Sequence, residues 1–362
     1  GNMKKKKIGV LFGGISTEHD VSVVSGTSVI KHMDKTKYEV FPIYLSKQGE
    51  WYEYQKEISK VEILPIGDTV EPIQKIENPI AYLQELDAVF PVLHGKGGED
   101  GTIQGILEWI GVPYVGCGVL SSSLGMDKAY TKMVIERAQI QQAKYLYFQK
   151  RKDGFAQIHP NFEETIHNLG EICGKVEENL GYPVFVKPSN SGSSIGITKA
   201  ANNEELQEAI KNACQYDTKL VIEENIDGLE VECAVLGNKE VKASSVGKIL
   251  PAEEFYTFDA KYKNAQSKLE IPAKLPQGIE EQIRKMAIRA FRAVDGKGLA
   301  RVDFFVRKSD SQIILNEINT MPGFTSISMY PKLWEQMGLS YPELIDTLLL
   351  LSLEEKEGER CN

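Results

Sequence analysis

At 362 residues the chain exceeds what one small core can organise, so two or three domains are expected. Hydrophobic residues at 42% and charged residues at 26% describe a globular chain and exclude a disordered one. The net charge of -9, without a long basic stripe, argues against nucleic-acid binding, and no apolar stretch approaches the ~20 residues a membrane span needs.

In chain order, the Gly1-Asn2 pair ahead of Met3 reads as an expression remnant. The run Lys4 to Lys7 with "IGVLFGG" faintly resembles a secretory leader, but the apolar part is short and runs into Glu18, His19 and Asp20. A lysine run ahead of a first buried strand is the better reading. "KIGVLFGG" is that strand and "VSVVSGTSVIKHM" the helix after it; "YEVFPIYLS" and "DAVFPVLHG" are further strands, and "DGTIQGILEWIG" a further helix before "VPYVGCG". This alternation predicts a parallel sheet covered by helices. "SLGMDKAYTKMVIERAQI" reads as one helix and "YLYFQK" as a strand, followed by a helix over "TIHNLGEICGKVEENLG" and strands "YPVFVKP" and "GITKA", a smaller α+β unit. Long strands follow in "LEVECAVLG" and "KEVKASSVGKIL", then an irregular polar stretch and the helix "IEEQIRKMAIRAFRAV". The glutamate-rich tail at 354–359 reads as a solvated end. The five cysteines, at 117, 173, 214, 233 and 361, lack C-x-x-C spacing and suit a reducing cytoplasm rather than a disulfide or zinc framework.

The chemistry concentrates in "RVDFFVRKSDSQIILNEIN", two apolar runs joined by the polar loop 308–311. Alternation puts Arg301 on one face with Asp303, and Glu317 on one face with Asn319, so a hairpin would crowd these groups together. Asp303, Glu317 and Asn319 offer only oxygen donors, which select Mg2+ or Mn2+ over zinc, and Mg2+ is commonly held by carboxylates plus nucleotide phosphates. Arg301 can neutralise an oxyanion. A surface hairpin with ordinary ion pairs is the bland alternative, disfavoured because the runs are too apolar for an exposed sheet. The loop "VKPSNSGSSIG", 186–196, has the free N–H groups of a phosphate nest beside Lys187, but is not a Walker A loop and could equally be a surface turn. His94, in the glycine-dense "LHGKGGEDG", is on residue type alone more often structural than catalytic. Gly116 and Gly118 make only a poor dinucleotide fingerprint. Phosphate loop and oxygen-lined face together indicate a nucleotide-dependent ligase or kinase.

The segments "GGISTEHDVS", "HGKGGEDGTIQG", "MDKAYTK", "VKPSNSGSSIG", "AKY", "RVDFF" and "NEINTMPGFTSISM", in this order and spacing, make nearly the whole chain similar to the D-alanine–D-alanine ligase family of the ATP-grasp superfamily. The resemblance implies an α/β and α+β, three-domain ATP-grasp fold: an N-terminal parallel α/β domain at 1–127, a central subdomain at 128–227, and a C-terminal subdomain at 228–362 with lid and metal site. It implies ATP-dependent joining of two D-alanine molecules through a D-alanyl phosphate, for peptidoglycan precursors, by a cytoplasmic homodimer without nucleic-acid or membrane partners.

By the same resemblance, Lys128 and Lys187 hold ATP phosphates and Lys261 closes over them. Glu223, the backbone at Glu224 and Ile226, and Glu230 seat adenine and ribose. Asp303, Glu317 and Asn319 bind two Mg2+ ions, or Mn2+. Glu18 fixes the first D-alanine's ammonium, in a triad with Ser193 and Tyr262, and His94 neighbours its carboxylate. Arg301 and the N–H of Gly323 stabilise the tetrahedral oxyanion, while Ser328 and Met329 take the second D-alanine's carboxylate. The stretch 253–276 would be the water-excluding lid. Tyr262 favours an amine over a hydroxyl as nucleophile. Met329 stands where leucine is common, and Glu224 where lysine is common, both departures of small expected effect. The rivals are an ATP-grasp ligase with another substrate, a nicotinamide-dependent oxidoreductase, and a nucleotide-binding module without catalysis.

Overall fold

The computed structural model describes residues 4–54, 74–192, 195–250 and 269–359. Among the described residues there are three sheets, one within each of the spans 1–127, 128–227 and 228–362. The chain clusters into two compact units. The first comprises 1–123, 230–304 and 317–362, and the second 124–229 and 305–316.

In the first unit, β1 (Lys6–Gly13) pairs in parallel with β2 (Tyr38–Leu45) and β5 (Ala88–Pro91), as the β-α alternation predicts. β3 (Trp51–Glu53) and β4 (Gln74–Lys75) extend the β2 edge antiparallel, giving the order β4-β3-β2-β1-β5. The helix α1 (His19–His32) lies close on β1 because Gly26 carries no side chain: a Cβ there would sit 2.3 Å from that of Phe12. α2 (Pro79–Gln84) and α3 (Thr102–Ile110) complete this region.

A further sheet has the order β14-β13-β12-β15-β16 and contains the expected hairpin, β15 (Gly298–Arg307) and β16 (Ile313–Asn319), whose residues 305–316 are assigned to the second unit. Its remaining strands are β12 (Gly228–Gly237), β13 (Val241–Ile249) and β14 (Leu269–Glu270). One apolar core joins Ile8, Phe12 and Phe90 of the first sheet to Ala234 and Leu236 of β12. Leu344, Ile345, Leu348 and Leu349 of the last helix, which sequence periodicity did not single out, enter the same core. That shared core is why N- and C-terminal segments form one compact unit.

The second unit is built on the six-stranded sheet β10-β9-β11-β6-β7-β8. These strands are β6 (Tyr145–Arg151), β7 (Gly154–Ile158), β8 (Glu164–His167), β9 (Val184–Pro188), β10 (Thr198–Ala200) and β11 (Lys219–Glu224). Two expectations need correction. The helix over 123–140 is two, α4 (Val119–Met126) and α5 (Lys128–Arg137), because Asp127 caps α5 by accepting the Tyr130 N–H at 3.0 Å. The helix over 165–181 is only α6 (Leu169–Asn179): residues 164–167 pair with β7, and a capping box between Asn168 and Glu171 starts the helix. α7 (Asn203–Ala213) closes the unit. α8 (Ile279–Ala293), α9 (Met329–Gln336) and α10 (Tyr341–Glu359) belong to the first. The last of these carries the acidic tail as a helix rather than a loose end.

Candidate active site

In a parallel sheet, ligands bind beyond the carboxyl ends of strands where the winding reverses. Here that point lies beyond β1, whose neighbours β2 and β5 lie on opposite sides. The loop after β1 carries Glu18, and the turn after β5 carries His94 and Gly95. Ser16 ties the two, its Oγ donating to the His94 carbonyl at 2.7 Å and accepting the Glu18 N–H at 3.0 Å. Gly95 is required there. Its φ is +75°, and a Cβ would lie 2.8 Å from Glu18 Oε2.

His94 is 4% exposed, with Nδ1 3.1 Å from the Met321 carbonyl and Nε2 3.1 Å from Ser25 Oγ. Burial pulls it down to about 4 against that hydrogen bond, so the ring is neutral at neutral pH and anchors its turn without a positive charge.

Glu99, which sequence reasoning passed over, accepts the Gly95 N–H at 2.8 Å. Burial, then the Glu18 charge, pushes it up to about 8, so it is neutral at neutral pH. A folded value above the ordinary one means stability complete below about pH 4.5 and lost as pH rises towards 8. Replacing Glu99 with glutamine removes that proton linkage. Across this window the variant's melting temperature should fall less steeply than that of the unmodified chain, the difference being at most about 1.4 kcal/mol per pH unit. Parallel melting curves for the two proteins would refute the shift.

The hairpin places its polar groups as strand alternation requires. Arg301 forks onto Asp303, Nε to Oδ1 at 2.9 Å and Nη2 to Oδ2 at 2.9 Å, and Asn319 Nδ2 reaches Oδ2 at 3.1 Å. Glu317 joins electrostatically by raising Arg301. Glu232 on β12 was not foreseen; its Oε1 lies 2.8 Å from Arg301 Nε. An acidic residue inside the apolar run "LEVECAVLG" was the available signal. Burial and the Glu232 charge raise Asp303, against the opposing pull of Arg301. Among the described residues, the carboxylates of Asp303, Glu232 and Glu317 act on the single guanidinium of Arg301. The oxygen donors of Asp303, Glu317 and Asn319 suit a hard divalent cation, while among the described residues no group of three His, Cys, Asp or Glu side chains converges to hold one.

Beyond β16, Gly323 is partly exposed, and Ser328 is the N-cap of α9, its Oγ accepting the Thr325 N–H at 3.0 Å rather than capping the helix. The free N–H groups at the start of α9 suit a carboxylate. Met329 is buried. Glu230 is the third residue of β12 and is exposed.

In the second unit, Lys128 is the first residue of α5, its Nζ 3.0 Å from the Ser191 carbonyl in the serine-glycine loop. Ser189 Oγ donates to Asp127 at 2.8 Å and so fastens loop to helix. Lys187 forms an ion pair with Glu223, whose other oxygen is 2.9 Å from Lys132 Nζ. Burial alone would raise Glu223, but the two ammonium groups outweigh it and hold it down at about 2. Lys132 was also missed, although it follows Lys128 by one helical turn. Glu224 is partly exposed, its Oε2 3.0 Å from the Lys144 N–H, and Ile226 is partly exposed. Ser193, Lys261 and Tyr262, and most of the expected lid at 253–276, lie outside the described residues.

Two family models match: D-ala D-ala ligase N-terminus over residues 7–117 and D-ala D-ala ligase C-terminus over 134–350. The D-alanine–D-alanine ligase of Acetivibrio thermocellus is 49% identical, covering 97% of this chain and 96% of its own. That of Clostridium acetobutylicum is also 49% identical, over 96% and 98%. Among solved structures, the D-alanine-D-alanine ligase from Coxiella burnetii superposes with a TM-score of 0.81 at 33% identity, covering 99% of this chain and 97% of that one. The VanG D-Ala:D-Ser ligase from Enterococcus faecalis gives 0.76 at 35%, over 96% and 100%.

Proposed function

The chain belongs to the D-alanine–D-alanine ligase family, and from that premise we propose how its own residues carry the reaction. The activity is ATP-dependent ligation of two D-alanine molecules to D-alanyl-D-alanine for peptidoglycan synthesis, with ATP and a divalent metal required.

A carboxylate resists attack by an amine because its leaving group is poor. The first D-alanine therefore takes the terminal phosphoryl group of ATP, releasing ADP. The amine of the second D-alanine attacks the resulting acyl phosphate, and phosphate departs. Glu18 binds the first ammonium, beside the turn that neutral His94 anchors. Ser328 and the N–H groups opening α9, with Met329, receive the second carboxylate. Arg301 and the Gly323 N–H face the oxyanion of the tetrahedral intermediate. Lys128 and Lys187 hold phosphates, Glu223 and the backbone of Glu224 and Ile226 hold adenine, and Glu230 holds ribose. Ser193, Tyr262 and Lys261 complete the triad and the lid, which keeps water from the acyl phosphate. Asp303, Glu317 and Asn319 would hold two Mg2+ ions, or Mn2+, and the chemistry such ions would supply there is neutralisation of phosphoryl charge.

The observation that carries this assignment is the hairpin face itself, with Asn319 and Arg301 both on Asp303 and Glu317 in the same field. We further read the protein as a cytoplasmic homodimer of three domains. Cysteines scattered without C-x-x-C spacing support the compartment, and one sheet in each span supports the domains. Among the described residues no helix is long and apolar enough to cross a membrane.

Phosphate release measured with MgATP and D-alanine, against L-alanine and D-alanine plus D-serine, tests the reaction. Release that depends on D-alanine and matches dipeptide formed is expected. Release indifferent to the amino acid would overturn the peptide-ligase reading, and a preference for the mixed pair would reassign the second substrate.

A further inference from the structure

Every oxygen of Asp303 is already engaged. Arg301 Nε holds Oδ1, Arg301 Nη2 holds Oδ2, and Asn319 Nδ2 shares Oδ2. A carboxylate bound in this way cannot also give itself to a divalent cation without bringing two positive groups onto the same atoms. Yet Arg301 is needed beside the reacting carbonyl. The arginine must therefore yield Asp303 without leaving the site.

Glu232 supplies the means. It is 9% exposed, and its Oε1 already lies 2.8 Å from the same Arg301 Nε that Asp303 holds. Its Oε2 is buried and, among the described residues, has no hydrogen-bond partner. An unsatisfied carboxylate oxygen in the interior is costly and requires a reason. A guanidinium fork needs two acceptor oxygens on one carboxylate; Glu232 presents one in contact and one vacant.

We propose that Glu232 is the second seat of Arg301, to which the guanidinium fork passes when Asp303 gives its oxygens to a divalent cation. This rests on the assignment of Asp303 as an ion ligand. Glu232 is accordingly a positioning residue: it acts through Arg301, by leaving the arginine paired and oriented once Asp303 is claimed. The hand-over separates charge as well, with Arg301 neutralised by Glu232 and the ion by Asp303 and Glu317. It also ties the oxyanion-stabilising group to metal loading, because the fork turns only when the ion is in place.

The test is Mn2+ binding to the full chain with a non-hydrolysable ATP analogue, followed by electron paramagnetic resonance of free Mn2+. Glu232→Gln should weaken binding about tenfold, since Arg301 then has no alternative to Asp303. In an Arg301→Gln background the same substitution should add less than about twofold, because there is no longer a guanidinium to relocate. Equal weakening in both backgrounds would overturn the proposal by showing that Glu232 acts on the ion directly, and no weakening in either would overturn it also. Should Glu232→Gln melt too low to titrate, Glu232→Asp, which shortens the reach to Arg301, carries the same comparison. Equal Mn2+ affinity in the unmodified chain and Asp303→Asn would instead refute Asp303 as a ligand. Affinity that depends on Asp303 but ignores Glu232 removes only the second seat.

Discussion

Asp303→Asn is expected to lower turnover by about a thousandfold or more while the chain stays folded. A bound divalent ion supplies several kcal/mol of charge stabilisation to phosphoryl transfer, and each 1.36 kcal/mol is a factor of ten. Asparagine keeps the shape of Asp303 but not its charge, so the ligand most deeply buried in the hairpin is weakened as a metal donor. The fold should tolerate the change. Arg301 keeps Glu232 at 2.8 Å, and the side-chain oxygen of asparagine can still accept a hydrogen bond from the guanidinium. Coupled phosphate release measures the first effect, and the melting temperature, expected to move by only a few degrees, the second. Turnover like that of the unmodified chain would take the ion away from Asp303.

The largest effect on stability should come from Glu223→Ala. Glu223 is 6% exposed and is the shared partner of Lys132 and Lys187, both inside the second unit. Deleting it leaves two ammonium groups in a poorly solvated place with their common counter-charge gone. Removal of one member of a buried ion pair costs about 3–5 kcal/mol, whereas replacing a whole pair with apolar groups is often neutral. A calorimetric transition lower by on the order of 10 °C is therefore expected for this unit. Adding Lys132→Met to Glu223→Ala should restore part of the loss. A loss under about 1 kcal/mol in the single variant would show that water already reaches these lysines. The acid limb has a definite sign. Because Glu223 is held at about 2, its contribution is present above the ordinary carboxyl range and disappears as pH falls through that value.

How far the site was legible in the sequence follows the range of the interaction concerned. The clustering of Arg301, Asp303, Glu317 and Asn319 was readable, because alternation along two strands joined by a short polar loop depends only on neighbours in the chain. The fastening of Lys128 to the serine-glycine loop was half legible: the loop was visible, but not that Ser189 and Asp127 join it to a helix start. That same cap split a helix that periodicity alone ran together.

By itself, then, the sequence determined the β-α alternation of the first region, the late hairpin with its polar face, and, through motifs in order, the family. Only tertiary structure decided that Glu232 meets Arg301, that Lys132 shares Glu223 with Lys187, and that Glu99 is buried beside Glu18. It also decided that the last helix shares a core with the first sheet. The physical reason is that periodicity is a property of adjacent residues. Burial and charge pairing belong to groups far apart in sequence, and their energies exist only once the chain has closed around them.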